Sequence, residues 1–571
     1  MNKITFKATL MPLLTLLLVS CGAEKKDNAK PTAKKPPNIL FILADDQGYG
    51  DFSAYGNTIL KTPNIDNIYR ESTRFNNFFV SPVCAPTRAS IMTGRYNQRT
   101  GVWDTWKGRV SMHGDEYTIA EALKDRGYAT GLFGKWHLGY NTPQRPMDQG
   151  FDKTLEFEEY AKDTATRVDP IMKTNGVLDP RKGFLTDVVF DDAIDWIEEK
   201  SKEDQPFFAY VATFMPHTAD KPQVPIEYVE PFLKNDTLVR HTAEVYGMVT
   251  KLDENVGRLM AKMKELGLDE NTLVVYLSDN GPQMQGGDNG RQERFNVGLR
   301  GEKGNVYEGG IKVPCFFRWP GKLTAGREIE AMAAHIDLLP TLVEIADSTD
   351  LKLPNPIDGI SLVPTLFEKE NMEHTTRAYF NQWDRAAVPE LWNNVTMRTD
   401  TFKLVNGKEL YDISKDPYEK NDLAQVKPDV FEEMREATKA WFNDVSSTRG
   451  YETSYTELGS PAQKKLTLQF FDRNDKGWPL KILETGPYTF TVENVNPKLF
   501  PKGAKLCIEI GDTLVKKDIV KGEDQVVFED VEVNRGLQNF TIYTEGYKTP
   551  KIGRWNQEDL GYRNVIIEIN E

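Results

Sequence analysis

The 571-residue chain has little cysteine, no heptad run and no long low-complexity tract. Its four cysteines, Cys21, Cys84, Cys315 and Cys507, are far apart, which excludes a disulfide framework and a paired Cys-x-x-Cys metal site. The chain also lacks an excess of positive charge, because 71 Lys and Arg face 85 Asp and Glu and the formal net charge is −14. We therefore expect no nucleic-acid partner, and any anionic ligand must be attracted by local cations.

The N-terminus has the pattern of an export signal over residues 1–20. A basic start precedes an apolar run, Leu10 to Val19, that is too short to span a bilayer but has the length of a signal-peptide core. The run ends in Leu-Val-Ser-Cys-Gly, which resembles the bacterial lipobox, so Cys21 is expected to carry lipid. Residues 21–37 then form a lipid-anchored linker. The expected location is the bacterial outer membrane, at its periplasmic face or at the cell surface, and the alternative is an ordinary cleaved signal with an incidental cysteine.

Short apolar runs rich in β-branched residues predict buried parallel strands at 38–44, 129–133, 207–213 and 272–278. Helical apolar faces lie between them, from Leu185 to Ile197 and from Val245 to Met263. Strands that alternate with helices predict an α/β fold on a largely parallel sheet.

The chain after the first α/β region changes its pattern twice. The strand and helix alternation covers residues 38–346, and residues 347–450 predict a smaller α+β C-terminal subdomain. Period-2 apolar segments separated by turn residues follow, and they predict an added β-sandwich domain over residues 455–571.

Polar residues follow each of the four predicted strands. In open α/β sheets, ligands bind at the carboxyl ends of the strands, so these side chains are expected to meet in one cleft. They are Asp45 and Asp46, then Lys135 and His137, then His217, and finally Asp279 and Asn280.

Cys84 lies just before a proline suited to the first turn of a helix, with Arg88 one turn later on the same face. A thiol there lies near the positive end of the helix dipole. Two interpretations stay open from the residues alone: a buried inert cysteine, or a thiolate nucleophile with a lowered pKa.

The segment Cys84-Ala85-Pro86-Thr87-Arg88 resembles the C-x-P-x-R signature of the type I sulfatases, in which the cysteine is oxidised to formylglycine (3-oxoalanine). The resemblance covers about residues 37–445 and implies the alkaline-phosphatase-like sulfatase fold. Further motifs match in the family's order: Asp45-Asp46, Thr93-Gly94-Arg95, Gly134-Lys135-Trp136-His137-Leu138-Gly139, Ser278-Asp279-Asn280-Gly281 and Arg300 to Gly310.

The resemblance implies a role for each matched residue. Asp45, Asp46, Asp279 and Asn280 would bind one Ca²⁺ ion together with the formylglycine at 84; this all-oxygen set suits a hard cation. Lys135 and Lys303 would hold the sulfate, and Arg88 the formylglycine hydrate. His137 would help to break down the sulfated intermediate, and His217 would protonate the leaving alcohol. Without the resemblance, each residue type also has a structural interpretation. The acidic pairs are typical of helix N-caps, lysines usually lie on the solvated surface, and histidines often have a structural role.

These features predict a calcium-dependent sulfatase that acts on a sulfated carbohydrate and is matured by a separate formylglycine-forming enzyme. The alternatives are a phosphodiesterase or phosphonate hydrolase on the same fold, and a catalytically silent lipoprotein that binds sulfated glycan. Algal polymers such as ulvan or carrageenan are favoured over animal glycosaminoglycans. Candidate sugar or anion contacts are Trp103, Trp106, Arg291, Arg294 and the stretch 381–383.

Overall fold

The computed structural model describes residues 35–157, 167–217, 224–284, 294–347, 353–367, 377–460, 463–468, 473–545 and 564–570. The predicted signal peptide, nearly all of the predicted linker and Arg291 lie outside the described residues. No helix in the described part of the chain is both long and apolar enough to cross a membrane.

A mixed sheet forms the centre of the N-terminal region, in the strand order β11-β2-β10-β9-β1-β8-β4-β5-β6-β7. The strands from β9 to β5 in this order are parallel, as predicted, while β10 pairs antiparallel with both β9 and β2. The elements here are β1 (Asn38–Ala44), α1 (Pro63–Glu71), β2 (Thr73–Phe75), β3 (Phe78–Phe79), α2 (Cys84–Thr93), α3 (Ile119–Lys124), β4 (Ala129–Gly134), β5 (Lys153–Glu156), β6 (Ile171–Thr174), β7 (Val177–Pro180), α4 (Leu185–Lys200), β8 (Phe207–Ala212), α5 (Ile226–Leu233), α6 (Arg240–Glu265), β9 (Thr272–Ser278), α7 (Glu308–Ile311), β10 (Cys315–Arg318), β11 (Glu328–Ile329), β12 (Ala333–Ala334), α8 (Leu338–Ala346) and α9 (Val363–Leu366).

The central strand β1 contributes to two apolar cores, one on each face of the sheet. Ile39, Phe41 and Leu43 pack into the core beneath α2, α3 and α8, whereas Leu40 and Ile42 pack into the core beneath α1, α4, α5 and α6. Successive side chains of a strand point to opposite faces, so a strand covered on both sides must be apolar at every position. This is why the predicted strands read as continuous apolar runs.

A four-stranded antiparallel sheet follows, in the order β13-β14-β15-β16, and the long helix α10 packs against it. It corresponds to the α+β region that the sequence predicts. The elements are β13 (Tyr379–Gln382), β14 (Val395–Arg398), β15 (Phe402–Val405), β16 (Glu409–Asp412) and α10 (Pro428–Ser447).

Two further sheets enclose a separate apolar core at the C-terminal end, as expected of a β-sandwich. Their orders are β17-β19-β24-β21-β22 and β18-β25-β20-β23, and every pairing is antiparallel except that of β17 with β19. The strands are β17 (Thr456–Leu458), β18 (Lys465–Leu468), β19 (Trp478–Ile482), β20 (Gly486–Glu493), β21 (Lys505–Ile510), β22 (Thr513–Asp518), β23 (Gln525–Val533), β24 (Gly536–Glu545) and β25 (Asn564–Ile569).

Candidate active site

The polar residues after the parallel strands meet at one edge of the central sheet. Backbone hydrogen bonds align the strand ends: the amide of Asp45 donates to the carbonyl of Met215 at 3.0 Å, and that of Asp279 to the carbonyl of Ala44 at 3.1 Å. Because β1 lies between β8 and β9, the residues that follow these three strands are neighbours. The residues that follow β4 join them, as the hydrogen bonds below show.

Cys84 is the first residue of α2 and is buried at the centre of this edge. Its Sγ atom lies 3.4 Å from Nδ1 of His137, which follows β4. Burial is the main influence on the thiol and raises the pKa of Cys84 above its ordinary value, although Lys135 and Lys303 act in the opposite direction. The structure therefore contradicts the idea of a thiolate activated by a lowered pKa, because desolvation outweighs the nearby positive charge.

Each buried carboxylate of the site accepts a hydrogen bond from a cationic side chain. Nζ of Lys135 donates to Asp45 at 2.6 Å, and Nζ of Lys303 donates to Asp46 at 2.7 Å. Arg88 donates through Nε and a terminal nitrogen to the same Asp279 oxygen, at 3.0 and 2.7 Å. The third guanidinium nitrogen of Arg88 donates to the Lys135 carbonyl, so α2 and the end of β4 are joined directly.

The pKa values of the three carboxyl groups move in different directions. Burial alone raises the pKa of Asp45 and of Asp46, but the positive charges around them, chiefly Lys135 and Lys303, outweigh burial and lower both pKa values below the ordinary range. Burial together with the negative charge of Asp45 raises the pKa of Asp279 to about 7, against the effect of Arg88. The raised pKa of Asp279 thus reflects its burial and the nearby negative charge of Asp45, which together outweigh the attraction of Arg88.

The donor set fits a hard divalent cation. Ligand atoms of Asp45, Cys84 and Asp279 lie within 4.8 Å of one another. Oδ1 of Asp45 and Oδ1 of Asn280 are buried and have no hydrogen-bond partner among the described residues. Carboxylate and amide oxygens are the ligands that Ca²⁺ takes in proteins, and a cation would add positive charge beside the unpartnered oxygens. The residues present therefore suit the predicted ion.

Two histidines lie beside this cluster, each at the end of a parallel strand. His217, in the turn after β8, has Nε2 3.9 Å from Oδ2 of Asp46. His137 has a backbone φ of 64°, and Asp46 has a φ of 65°, both in the left-handed region that side-chain-bearing residues adopt rarely. Such backbone conformations persist where surrounding contacts hold them, and they concentrate at functional sites.

Sequence reasoning missed the role of Arg294, a buried arginine that holds the Asp46 segment. Arg294 makes a two-point ion pair with Asp51, with contacts of 2.9 and 2.5 Å, and donates to the Asp46 carbonyl at 2.6 Å. The expectation that Arg294 contacts a sugar or an anion is wrong, because its side chain is fully buried and already paired. No local pattern indicates this role, since Asp51 and Arg294 are 243 positions apart.

A second missed group fixes the segment that carries Lys303. Glu308 accepts from Arg398 at 2.8 Å and from Lys403 at 2.9 Å, and Lys403 also pairs with Glu419 at 2.8 Å. All four side chains are almost completely buried. The network ties α7 to β14 and β15.

Most of the other candidate sugar contacts are packing residues. Trp103 is buried and donates to the carbonyl of Ala386, while the side-chain amides of Asn381 and Gln382 are buried and donate to main-chain carbonyls. Trp383 differs: it is only partly buried, and its ring packs beside Gly304, next to Lys303.

Comparison with known proteins agrees with this geometry. The family model described as Sulfatase matches residues 37–348, and the one described as N-sulphoglucosamine sulphohydrolase, C-terminal, matches residues 301–444. Human N-acetylgalactosamine-6-sulfatase is 31% identical over 373 residues, which cover 60% of this chain and 68% of the human protein. The N-acetylgalactosamine-6-O-sulfatase of Bacteroides thetaiotaomicron is 29% identical over 521 residues, covering 75% of this chain and 97% of that protein.

Among solved structures, the crystal structure of Ps i-CgsB in complex with k-i-k-neocarrahexaose has a TM-score of 0.63 and 27% identity. The match covers 74% of this chain and 94% of that chain. The Sulfatase family model spans more than half of the present chain, and the chain covers more than two thirds of the human relative at 31% identity. The chain therefore belongs to the sulfatase family and is a sulfuric ester hydrolase with the alkaline-phosphatase-like α/β fold.

Proposed function

We propose that the protein removes sulfate from a sulfated polysaccharide or its oligosaccharides, in a Ca²⁺-dependent reaction that uses formylglycine formed from Cys84. The observation that carries the proposal is the arrangement around residue 84: three buried acids, three cations and a histidine surround one side chain at the N-terminus of α2. The sulfuryl group of a sulfate ester is tetrahedral and anionic, and positive charge on several sides stabilises the charge that develops on its oxygens during transfer.

The calcium ion would be held by Asp45, Asp46, Asp279 and Asn280. When bound, it supplies positive charge that polarises a sulfate oxygen and neutralises the crowded carboxylates. The unpartnered Oδ1 atoms of Asp45 and Asn280 and the raised pKa of Asp279 support this assignment.

A formylglycine at 84 would supply, as its hydrate, an oxygen nucleophile where the unmodified thiol has a raised pKa. A separate maturation enzyme would form it. His137, with Nδ1 at 3.4 Å from the side-chain atom of residue 84, is positioned to take a proton from a group bonded there. Arg88, on the next turn of α2, orients the same region through its bonds to Asp279 and to the Lys135 carbonyl.

Lys135 and Lys303 would neutralise the charge that develops on the sulfuryl oxygens, and His217 would protonate the departing sugar hydroxyl. One general acid supplies about 10²- to 10⁴-fold of rate. Enzymes lower the barrier by about 8 to 23 kcal/mol in total, so the cations must contribute the larger share.

For the substrate we favour an algal polymer such as carrageenan or ulvan over an animal glycosaminoglycan. The similarity to a structure solved with neocarrahexaose supports this choice. The similarity to two N-acetylgalactosamine-6-sulfatases supports a glycosaminoglycan as the competing substrate. We further propose that the protein is an exported lipoprotein of the bacterial outer membrane, on the basis of the N-terminal pattern that ends at Cys21.

Two other functions stay as alternatives. A phosphodiesterase or phosphonate hydrolase would use the same nucleophile on a phosphorus centre. A silent glycan-binding lipoprotein would need no catalytic residues, whereas every matched position is retained in this chain.

The test is desulfation of a substrate panel by enzyme produced together with a formylglycine-forming enzyme. Oligosaccharides of carrageenan, ulvan, fucoidan and glycosaminoglycans are incubated with wild type and with Cys84→Ala, and free sulfate is measured by ion chromatography. We expect sulfate release by wild type alone, strongest on one algal class. Turnover of phosphodiesters without sulfate release, or equal activity of Cys84→Ala, would refute the proposal.

A further inference from the structure

Two chain segments, 103–109 and 383–386, are bound to each other and form what we call the site wall. The indole N–H of Trp383 donates to Asp104 at 3.1 Å, and Arg109 donates to the Arg385 carbonyl at 2.7 Å. The indole N–H of Trp103 donates to the Ala386 carbonyl at 3.2 Å. Three hydrogen bonds between residues 276 to 283 positions apart hold the site wall in one conformation.

The site wall stands directly against the peptide that carries Lys303. A Cβ atom placed on Gly304 would lie 2.8 Å from Cζ3 of Trp383, so the ring touches the backbone there and only glycine fits. The side-chain amide of Asn394 donates to the carbonyls of both Gly304 and Trp383, at 2.8 and 2.9 Å. Lys303 in turn donates to Asp46, so the site wall contacts the residue next to the cation that pairs with the acidic cluster.

Arg385 is the exposed positive charge of the site wall. Its guanidinium carbon lies 4.9 Å from the centre of the Trp383 ring. Arg385 forms no ion pair within the part of the chain that the structure describes, whereas the buried Arg88, Arg294 and Arg398 are each paired with an acid. Its neighbour Arg109 is also paired with an acid, because it donates to Asp475 at 2.8 Å.

Arg385 is thus an exposed cation close to Lys303, without an ion pair among the described residues, in a protein with a net charge of −14. A guanidinium offers a planar set of donors that matches sulfate and carboxylate oxygens. Stacking on Trp383 holds the group near one position, which lowers the entropy lost when it binds an anion.

We propose that Arg385 is a specificity-determining residue that binds an anionic group on the sugar next to the one that is desulfated. The anion is either a second sulfate ester or a uronic acid carboxylate, which share the same recognition chemistry. This inference rests on the proposed carbohydrate sulfatase function.

The experiment compares kcat/KM of wild type and Arg385→Gln on four substrates that share the reactive sugar sulfate. The first has a neutral neighbouring sugar, the second a neighbour with its own sulfate, the third a uronic acid neighbour, and the fourth is nitrophenyl sulfate. Arg535→Gln, which removes an exposed arginine at the turn between β23 and β24, is the matched control. Arg385→Lys tests whether charge alone restores activity.

We expect Arg385→Gln to lose about ten- to a hundredfold in kcat/KM on whichever anionic neighbour is bound, mostly through KM. Activity on the neutral-neighbour substrate and on nitrophenyl sulfate should stay at the wild-type level, and Arg385→Lys should recover part of the loss. The difference in kcat/KM between wild type and Arg385→Gln on the anionic substrate should become smaller as the salt concentration is raised. The substrate that suffers the loss identifies the anion as sulfate or carboxylate.

Equal kcat/KM of Arg385→Gln and wild type on all four substrates overturns the inference and leaves the proposed function intact. An equal loss on all four also overturns it, because it would assign Arg385 a structural role. If wild type releases no sulfate from any sugar substrate, the proposed function fails and the inference fails with it.

Discussion

Replacing Glu308 by Gln removes one negative charge from a buried network and preserves the shape of the side chain. In wild type, the two acids Glu308 and Glu419 face the two bases Arg398 and Lys403, and all four side chains are almost fully buried. The variant leaves two buried cations with one carboxylate. Breaking a buried ion pair from one side costs about 3 to 5 kcal/mol, because the remaining charge is not solvated.

We expect this loss in the free energy of unfolding, measured by urea denaturation followed through tryptophan fluorescence. Turnover of nitrophenyl sulfate should fall as well, because Glu308 fixes the segment that carries Lys303. The double variant Glu308→Gln with Lys403→Met removes one charge of each sign, so it should be more stable than the single variant. A single variant within about 0.5 kcal/mol of wild type would refute the reasoning, as would a double variant less stable than the single one.

The same network gives the protein a pH dependence of stability. Burial alone raises the pKa of Glu308, but the charges of Arg398 and Lys403 outweigh it and lower the pKa to about 2, from an ordinary value of 4.5. A carboxyl group with a lowered folded-state pKa stabilises the fold above its unfolded-state pKa, and this stability is lost as the pH falls toward the folded-state value. The stability difference between wild type and Glu308→Gln should therefore shrink between pH 4.5 and 2. A constant difference over that window would contradict the assignment.

Other variants test the site itself. Mass spectrometry of the peptide containing Cys84 should show an aldehyde in active enzyme, and an intact thiol in fully active protein would contradict the formylglycine proposal. Asp279→Ala should lose calcium and turnover together, by elemental analysis and sulfate release; full activity after exhaustive chelation with no metal present would argue against a calcium enzyme. His217→Ala should lose far more rate on sugar sulfates than on nitrophenyl sulfate, whose leaving group needs little proton assistance, and equal losses would remove His217 from the acid role. Cys21→Ser should release the protein from the membrane fraction; unchanged fractionation would disprove the lipid anchor.

The sequence predicted those parts of the structure that depend on local pattern and on sheet topology. Residues 38–44 and 272–278 have the apolar character of strands buried on both faces, and the structure places β1 and β9 at these residues. The meeting of Asp45 with Asp279 follows from the rule for parallel strand ends, because both strands end at the same edge.

Partners that lie far apart in the chain were beyond such reasoning. The choice of Asp51 as the partner of Arg294, and of Glu308 as the partner of Arg398, depends on three-dimensional packing and leaves no periodic signal. The state of Cys84 was also out of reach, because the pKa of a thiol at a helix N-terminus depends on the balance between the dipole and burial. Here burial is the largest influence.

Asp475 connects the C-terminal β-sandwich to the site wall, so removal of the β-sandwich would affect the site wall. Asp475 lies in the turn before β19, and its carboxylate holds both Arg109, at 2.8 Å, and Lys107, at 3.1 Å. A chain shortened before β17 would keep every matched sulfatase motif and lose the acid that fixes Arg109, which itself supports the Arg385 backbone. If Arg385 has the role proposed above, exchange of the C-terminal sheets between relatives would replace the acid that holds Arg109, and substrate selectivity would change with it.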